Sequence, residues 1–183
     1  MNQKITLMAA LTLFAFFAQA ETASTSSLSK TSQATAQIGA SDYVVVDFEQ
    51  GRAGILPAHK DKLRELAAVA KAAGEKREIE VLAWADREYP QTGQKATSGD
   101  IKLAEERAKA IETYLEKDLS LSKVEPHNMA KRPNMFSELF KTDDFEMKKT
   151  FEQTGAAPAE ADSGLSKFLM SKASKAVVII KRN

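Results

Sequence analysis

The sequence contains no cysteine among its 183 residues. Disulfides therefore cannot stabilise the fold, and any core must hold by packing alone. The same absence leaves no cysteine nucleophile for catalysis and no cysteine on which an N-terminal lipid could be carried.

The chain also lacks an excess of charge of either sign. It has 26 basic and 25 acidic residues, and one of the basic residues is Lys4. A nearly neutral chain has no electrostatic drive towards nucleic acid or an anionic membrane surface. We therefore expect no nucleic-acid partner, and we expect charged ligands to be bound by local pairs of side chains.

Sequence motifs of enzymes and metal sites are missing as well. The two histidines, His59 and His127, stand in no recognisable motif, and there is no G-x-S-x-G, H-E-x-x-H or P-loop pattern. The acidic residues at 143, 144 and 146 lack the glycine and the spacing of a calcium loop. We expect no catalytic residue, no cofactor and no metal, with His59 at a helix start and His127 in a loop.

The first twenty residues have the pattern of a secretory signal. Lys4 precedes an apolar run of 13 residues at 5–17, and residues 18–20 read AQA, a small-x-small cleavage pattern. The run is shorter than the ~20 residues that a membrane-spanning helix needs. We expect cleavage before Glu21, with no membrane insertion afterwards. The alternative is an uncleaved membrane anchor.

The remaining chain divides into a leader and one domain. Residues 21–42 are rich in Ser, Thr, Ala and Gln and hold few large apolar side chains, so we expect a disordered leader. Residues 43–183 alternate between strand-like and helix-like patterns. Strands are predicted at 43–48, 79–84, 124–130 and 176–180, and helices at 58–73, 101–117, 135–152 and 165–173. This alternation predicts an α/β fold, in which helices pack against a sheet.

Asp86 and Arg107 form the most informative pair. Asp86 follows the second predicted strand directly, and Arg107 lies on the flank of the buried stripe of the 101–117 helix. An arginine in that position has a packed stem and a head that is free to donate to a carboxylate. If strand and helix are neighbours, an acid and a base flank one shallow pocket. The alternative is that the two side chains pair with each other and tie the strand to the helix.

The sequence around this pair resembles a known family. OmpA-like domains have a strand ending in G-x-T-D, then a loop, then a helix that opens with N-x-x-L-S-x-x-R-A. Here residues 83–86 read AWAD and residues 100–108 read DIKLAEERA, in the same register. The chain thus resembles the OmpA-like peptidoglycan-binding domains over roughly residues 43–181.

The resemblance implies a fold and a function. The fold is a two-layer sandwich, with a mixed sheet of about four strands and helices on one face. The function is non-enzymatic, non-covalent binding of peptidoglycan in the periplasm. Asp86 would bind the ammonium and Arg107 the carboxylate of diaminopimelate in the stem peptide. The matching helix residues Asp100, Leu103 and Ala108 would complete the binding site.

Several positions depart from the family pattern. The family Gly and Thr are Ala83 and Ala85 here, the family Asn is Asp100, and the 87–99 loop is longer. These changes leave an alternative open, in which a degenerate OmpA-like domain docks another envelope protein without binding the wall. Its interface would be the loop, Asp100 and the apolar face of 135–152, formed by Met135, Phe136, Leu139, Phe140 and Phe145. For Trp84, packing is favoured over stacking on a sugar.

Overall fold

The computed structural model describes residues 30–74, 77–86, 96–131, 142–157 and 174–182. Within these residues helices and strands alternate, as the sequence predicts, and the α/β class is confirmed. The elements in chain order are α1 (30–37), β1 (Ala40–Asp47), α2 (Pro57–Ala72), β2 (Ile79–Ala83), α3 (Ser98–Thr113), β3 (Val124–Asn128), α4 (Asp143–Gln153) and β4 (Lys175–Lys181). The signal at 1–20 and the helix expected at 165–173 lie outside the described residues.

The four strands form one mixed sheet in the order β1-β4-β2-β3. β4 pairs antiparallel with both β1 and β2, while β2 and β3 run parallel. The central position of β4 agrees with its sequence, since a strand buried on both faces must be apolar throughout. Within the described residues β3 lies at an edge of the sheet, where Pro126 is tolerated because its missing N–H faces none of the described strands.

One face of the sheet is covered by α2 and α3. Alternate residues of β2 and β4 point to this face, where they pack against the apolar stripes of the two helices. The buried residues of this first-face core include Leu63 and Leu66 from α2, Ala108 and Ile111 from α3, Ile79 and Val81 from β2, and Val178 and Ile180 from β4.

The opposite face is also covered, which corrects the expectation of helices on one face only. The intervening residues of the central strands, Leu82 and Val177 among them, pack against Ala34 of α1 and Phe151 of α4. The physical reason is visible in the strands themselves. β4 is apolar at every position of 176–180, and β2 is apolar at 81–83, so both faces of these strands need cover. Helices pack on the two sides of the sheet.

The leader prediction is wrong for residues 30–42. Residues 30–37 are helical, and β1 already begins at Ala40, opposite Lys181 of β4. Thr31, Ala34 and Thr35 are buried, with relative exposures of 3%, 0% and 2%. Small side chains let α1 approach the sheet closely, so tertiary packing compensates for the weak local pattern. Residues 21–29 lie outside the described part of the chain.

The ends of α3 differ from the sequence expectation. The helix begins at Ser98 and not at 101, because Thr97 is its N-cap residue and forms a reciprocal capping box with Asp100. At the other end the helix passes into a π-helical turn, Tyr114–Asp118, in which Leu115 is fully buried. The capping box fixes the start of α3. It therefore also fixes the position of Arg107 along the helix, relative to the end of β2.

Among the helices of the described residues, none combines the length and the apolar character that crossing a bilayer requires.

Candidate functional site

Asp86 and Arg107 meet at one end of the sheet. Asp86 lies just beyond the end of β2, and Arg107 extends from α3 towards it. The Nη2 group of Arg107 donates a hydrogen bond to Oδ1 of Asp86. The strand and the helix are therefore neighbours, and the pair joins them directly.

The guanidinium of Arg107 is held by backbone carbonyls. Its Nε donates to the carbonyl of Arg52 at 2.8 Å, its Nη1 to that of Trp84 at 2.9 Å, and its Nη2 to that of Glu49 at 3.2 Å. The ring of Phe48 lies 4.9 Å from its central carbon. Arg107 has no solvent exposure. The expectation of a free head group is wrong, because the β1–α2 connection folds over the guanidinium and supplies acceptors.

Asp86 is the more open partner. Its side chain retains 14% exposure. Ser174 Oγ donates to its Oδ1 at 2.6 Å, and the N–H of Gly51 donates to its Oδ2. Burial raises the pKa of the Asp86 carboxyl, but hydrogen bonds from Ser174, Arg107 and Gly51 outweigh burial and leave the pKa below its usual value. Asp86 is thus an ionised carboxylate in a fixed orientation at neutral pH.

The other residues matched to the family motif have separate surroundings. Asp100 accepts hydrogen bonds from the N–H and the Oγ1 of Thr97, at 3.3 and 2.6 Å. Leu103 is half-buried and packs against a small cluster that contains Ala85. Ala108 is buried in the first-face core. The structure thus brings Asp86 and Arg107 together, while Asp100 belongs to the capping box of α3 and Ala108 packs in the first-face core.

Trp84 is core, as the sequence analysis favoured. It is 1% exposed, and its ring centroid lies 5.4 Å from that of Phe151 in α4. The ammonium of Lys175 lies 5.6 Å from the Trp84 ring and donates to the carbonyl of Ala156 at 3.0 Å. Burial lowers the pKa of Lys175. A buried Trp84 offers no platform to a sugar ring.

Two contacts of Asp86 escaped the sequence analysis. Ser174 directly precedes β4, and only the pairing of β4 with β2 brings it beside Asp86. Gly51 adopts a positive φ of 68°, which glycine tolerates and which turns the β1–α2 connection towards Asp86. The glycine was a visible turn signal, but its target depends on tertiary structure.

A second charged cluster lies on the opposite face of the sheet. Glu80 of β2 is 1% exposed and contacts both His127 Nε2 and the Nζ of Lys181, the latter at 2.6 Å. His127 Nδ1 lies 3.3 Å from Oδ1 of Asp144, and the Oδ2 of Asp144 accepts from Lys148 Nζ at 2.7 Å. His127 therefore lies on edge strand β3, between two carboxylates, and not in a loop.

The electrostatics of His127 follow from these neighbours. Burial lowers the pKa of the His127 imidazole, but hydrogen bonds and charge interactions with Asp144 and Glu80 outweigh it and raise the pKa to about 9. The pKa values of the two carboxyls are lowered, since the partner cations outweigh burial. All three groups are charged at neutral pH.

Comparison with known proteins gives little further information. No family model matches the chain, and no curated protein matches it. Among solved structures, it is similar to the crystal structure of the peptidoglycan-associated lipoprotein from Burkholderia pseudomallei. The identity is 13% and the TM-score 0.48, over 75% of this chain and 89% of that one.

Proposed function

We propose that this chain is a non-catalytic module of the cell envelope that binds peptidoglycan non-covalently. The signal pattern at 1–20 supports export, and the resemblance of residues 83–86 and 100–108 to the OmpA-like motif supports the ligand. The observation that carries the proposal is the Asp86 carboxylate. It is ionised, partly open to solvent and held in one orientation by Ser174, Gly51 and Arg107.

Diaminopimelate suits such a carboxylate. Its free end carries an ammonium, which can donate a charge-assisted hydrogen bond to the carboxylate of Asp86. Arg107 keeps Asp86 charged and oriented from the buried side. Arg107 has no solvent exposure, so a direct contact with the ligand carboxylate requires the β1–α2 connection to move aside. The carbonyl of Glu49 in that connection accepts from Nη2 at 3.2 Å.

The expected affinity is modest. A hydrogen bond to a charged group contributes about 1.5–3 kcal/mol, from which the cost of immobilising the ligand is subtracted. Peptidoglycan presents the same stem peptide many times, so weak single contacts are sufficient for retention on the wall.

Co-sedimentation with purified peptidoglycan sacculi tests the proposal. The wild-type chain is expected to sediment with sacculi and to be released by free diaminopimelate. Asp86→Asn keeps the shape but removes the charge, and it is expected to weaken binding about tenfold or more. Asp61→Asn is the matched control, because Asp61 also pairs with an arginine, Arg64, but on the exposed face of α2. Undiminished sedimentation of Asp86→Asn contradicts the proposed site.

A second candidate function is protein docking without wall binding. It is favoured by one observation: Arg107 is fully buried and donates both to backbone carbonyls and to Asp86, so the protein itself supplies partners for the guanidinium. In that case Asp86 and Arg107 tie β2 to α3. Failure of the wild-type chain to sediment with sacculi, in a preparation whose fold is verified by circular dichroism, supports this candidate over the first.

A further inference from the structure

Three side chains with metal-binding groups meet where β2 and β3 run side by side. Glu80 and Glu125 are register partners in the parallel pair, and His127 is two residues further along β3. Residues two apart on a strand point to the same face, so Glu125 and His127 lie together. One ligand atom from each of the three residues lies within 4.8 Å of the others.

We propose that Glu80, Glu125 and His127 form a binding site for a divalent first-row cation, Zn²⁺. One imidazole nitrogen and two carboxylate oxygens are ligand types that zinc accepts, and water would complete a four-coordinate site. A set with a single nitrogen and few oxygens does not suit Ca²⁺, which takes six to eight oxygen ligands. The site lies apart from Asp86 and Arg107, and the inference does not depend on wall binding.

In His127 and Glu80, the atom that would not bind the metal already has a protein partner. That contact orients the atom that would bind the metal. His127 Nδ1 lies 3.3 Å from Asp144 Oδ1, and Glu80 Oε1 lies 2.6 Å from Lys181 Nζ. These contacts leave His127 Nε2 and Glu80 Oε2 facing each other. In zinc sites a carboxylate often accepts a hydrogen bond from the imidazole nitrogen that does not bind the metal, and so orients the ring.

The charge around the site also favours a cation. Even with His127 protonated, the acidic groups outnumber the basic ones. The side chains concerned are the carboxylates Glu80, Glu125, Asp143 and Asp144 and the cations Lys148, Lys181 and His127. Replacing the imidazole proton by a divalent ion brings the cluster to neutrality. The exchange is balanced: the metal takes the Nε2 lone pair, and the proton leaves to solvent.

The ion can reach the site from the sheet edge. Glu125 is exposed, whereas its register partner Glu80 is buried, and β3 has no outer strand neighbour within the described residues. The required movement is small, because Nε2 and Oε2 need only separate enough to admit an ion at about 2.0–2.2 Å from each. A bound ion would fasten the edge strand to β2 beneath α4.

Isothermal titration of the untagged full chain with Zn²⁺, after treatment with a chelator, tests the inference. One equivalent is expected to bind. Glu125→Gln and His127→Gln each remove a ligand and are expected to weaken binding at least about tenfold, and Asp144→Asn by about 10–100-fold. His59→Gln is the matched control, because His59 also lies beside a carboxylate, that of Asp47, but is not near the cluster. It is expected to leave binding unchanged.

Two further readouts separate a metal site from a simple ion-pair cluster. Binding is expected to release a proton, so the apparent enthalpy should vary with the ionisation enthalpy of the buffer. In the NMR spectrum the ring signals of His127 should shift with Zn²⁺ while those of His59 stay in place. Glu125 is exposed, so Glu125→Gln should fold normally. The inference is overturned if the wild-type chain binds no Zn²⁺ at millimolar concentration, or if the Glu125→Gln, His127→Gln double variant binds as tightly as wild type.

Discussion

Arg107 has no solvent exposure, yet it donates to the carboxylate of Asp86, whose side chain is 14% exposed. The pair is therefore asymmetric. The cation is part of the interior and links α3 to the β1–α2 connection, while the anion reaches the surface at the end of β2. Any ligand of this site meets the carboxylate first.

Truncating Arg107 should destabilise the fold strongly. Arg107→Ala leaves the carbonyls of Arg52, Trp84 and Glu49 without their donor and Asp86 without its cation. Removing one partner of a buried pair costs about 3–5 kcal/mol. We expect a loss of that size in the free energy of unfolding, measured by urea denaturation. Arg64→Ala, which breaks an exposed pair with Asp61, should cost less than about 1 kcal/mol. Equal losses for the two variants would contradict a structural role for Arg107.

Asp86 should make the stability of the chain depend on acid pH. Its folded pKa is below the ordinary value of about 3.9, so the stabilisation is present above that pH and is lost as pH falls through the folded pKa. We expect the difference in the free energy of unfolding between wild type and Asp86→Asn to shrink between pH ~5 and pH ~2. Ser174→Ala removes one of the hydrogen bonds that lower the pKa and should reduce this difference. A difference that stays constant over the range is the contrary result.

The alternation of strands and helices was predictable because each element has its own local signal. The β-branched run at 43–48 and the apolar run at 176–180 have the composition of strands, and Pro57 suits the first turn of a helix. The packing of α1 on the face of the sheet opposite α2 and α3 was not predictable in the same way. α1 consists of small and polar residues, and it is helical because Ala34 packs on strands that lie far away along the chain.

In the candidate site, too, some features have a local sequence signal and others depend on tertiary structure. The positions of Asp86 and Arg107 followed from the strand end and the helix pattern. Their environment did not, because Arg107 also donates to backbone carbonyls of Trp84 and of the β1–α2 connection, and carbonyls carry no sequence signal. His127 was missed for a related reason: its partners Glu80 and Asp144 come from β2 and α4, which only the folded topology brings together.

Segment 135–152 was a candidate docking surface, and its described part instead packs on the sheet. Phe151 of α4 is fully buried against Trp84, whereas Phe145 on the same helix is half-buried. Phe151→Ala should cost about 3–5 kcal/mol in the free energy of unfolding. Phe145→Ala is the matched control and should cost clearly less. Similar small costs for both would mean that α4 is only loosely attached. The expected interface residues Met135, Phe136, Leu139 and Phe140 lie outside the described residues.

His127 should make stability depend on alkaline pH in the metal-free chain. Its folded pKa is raised to about 9 from an ordinary value of 6.5, so its contribution is complete below pH ~6.5 and is lost as pH rises through 9. We expect the free energy of unfolding, measured with chelator present, to fall over this range in wild type relative to His127→Gln. When the titration of the His127 ring is monitored by NMR, its midpoint should lie near pH 9. The ring signals of His59 serve as an internal reference in the same spectra. A midpoint at or below 6.5 would show that Glu80 and Asp144 do not hold the proton on His127, and the pH-dependent difference in stability should then vanish.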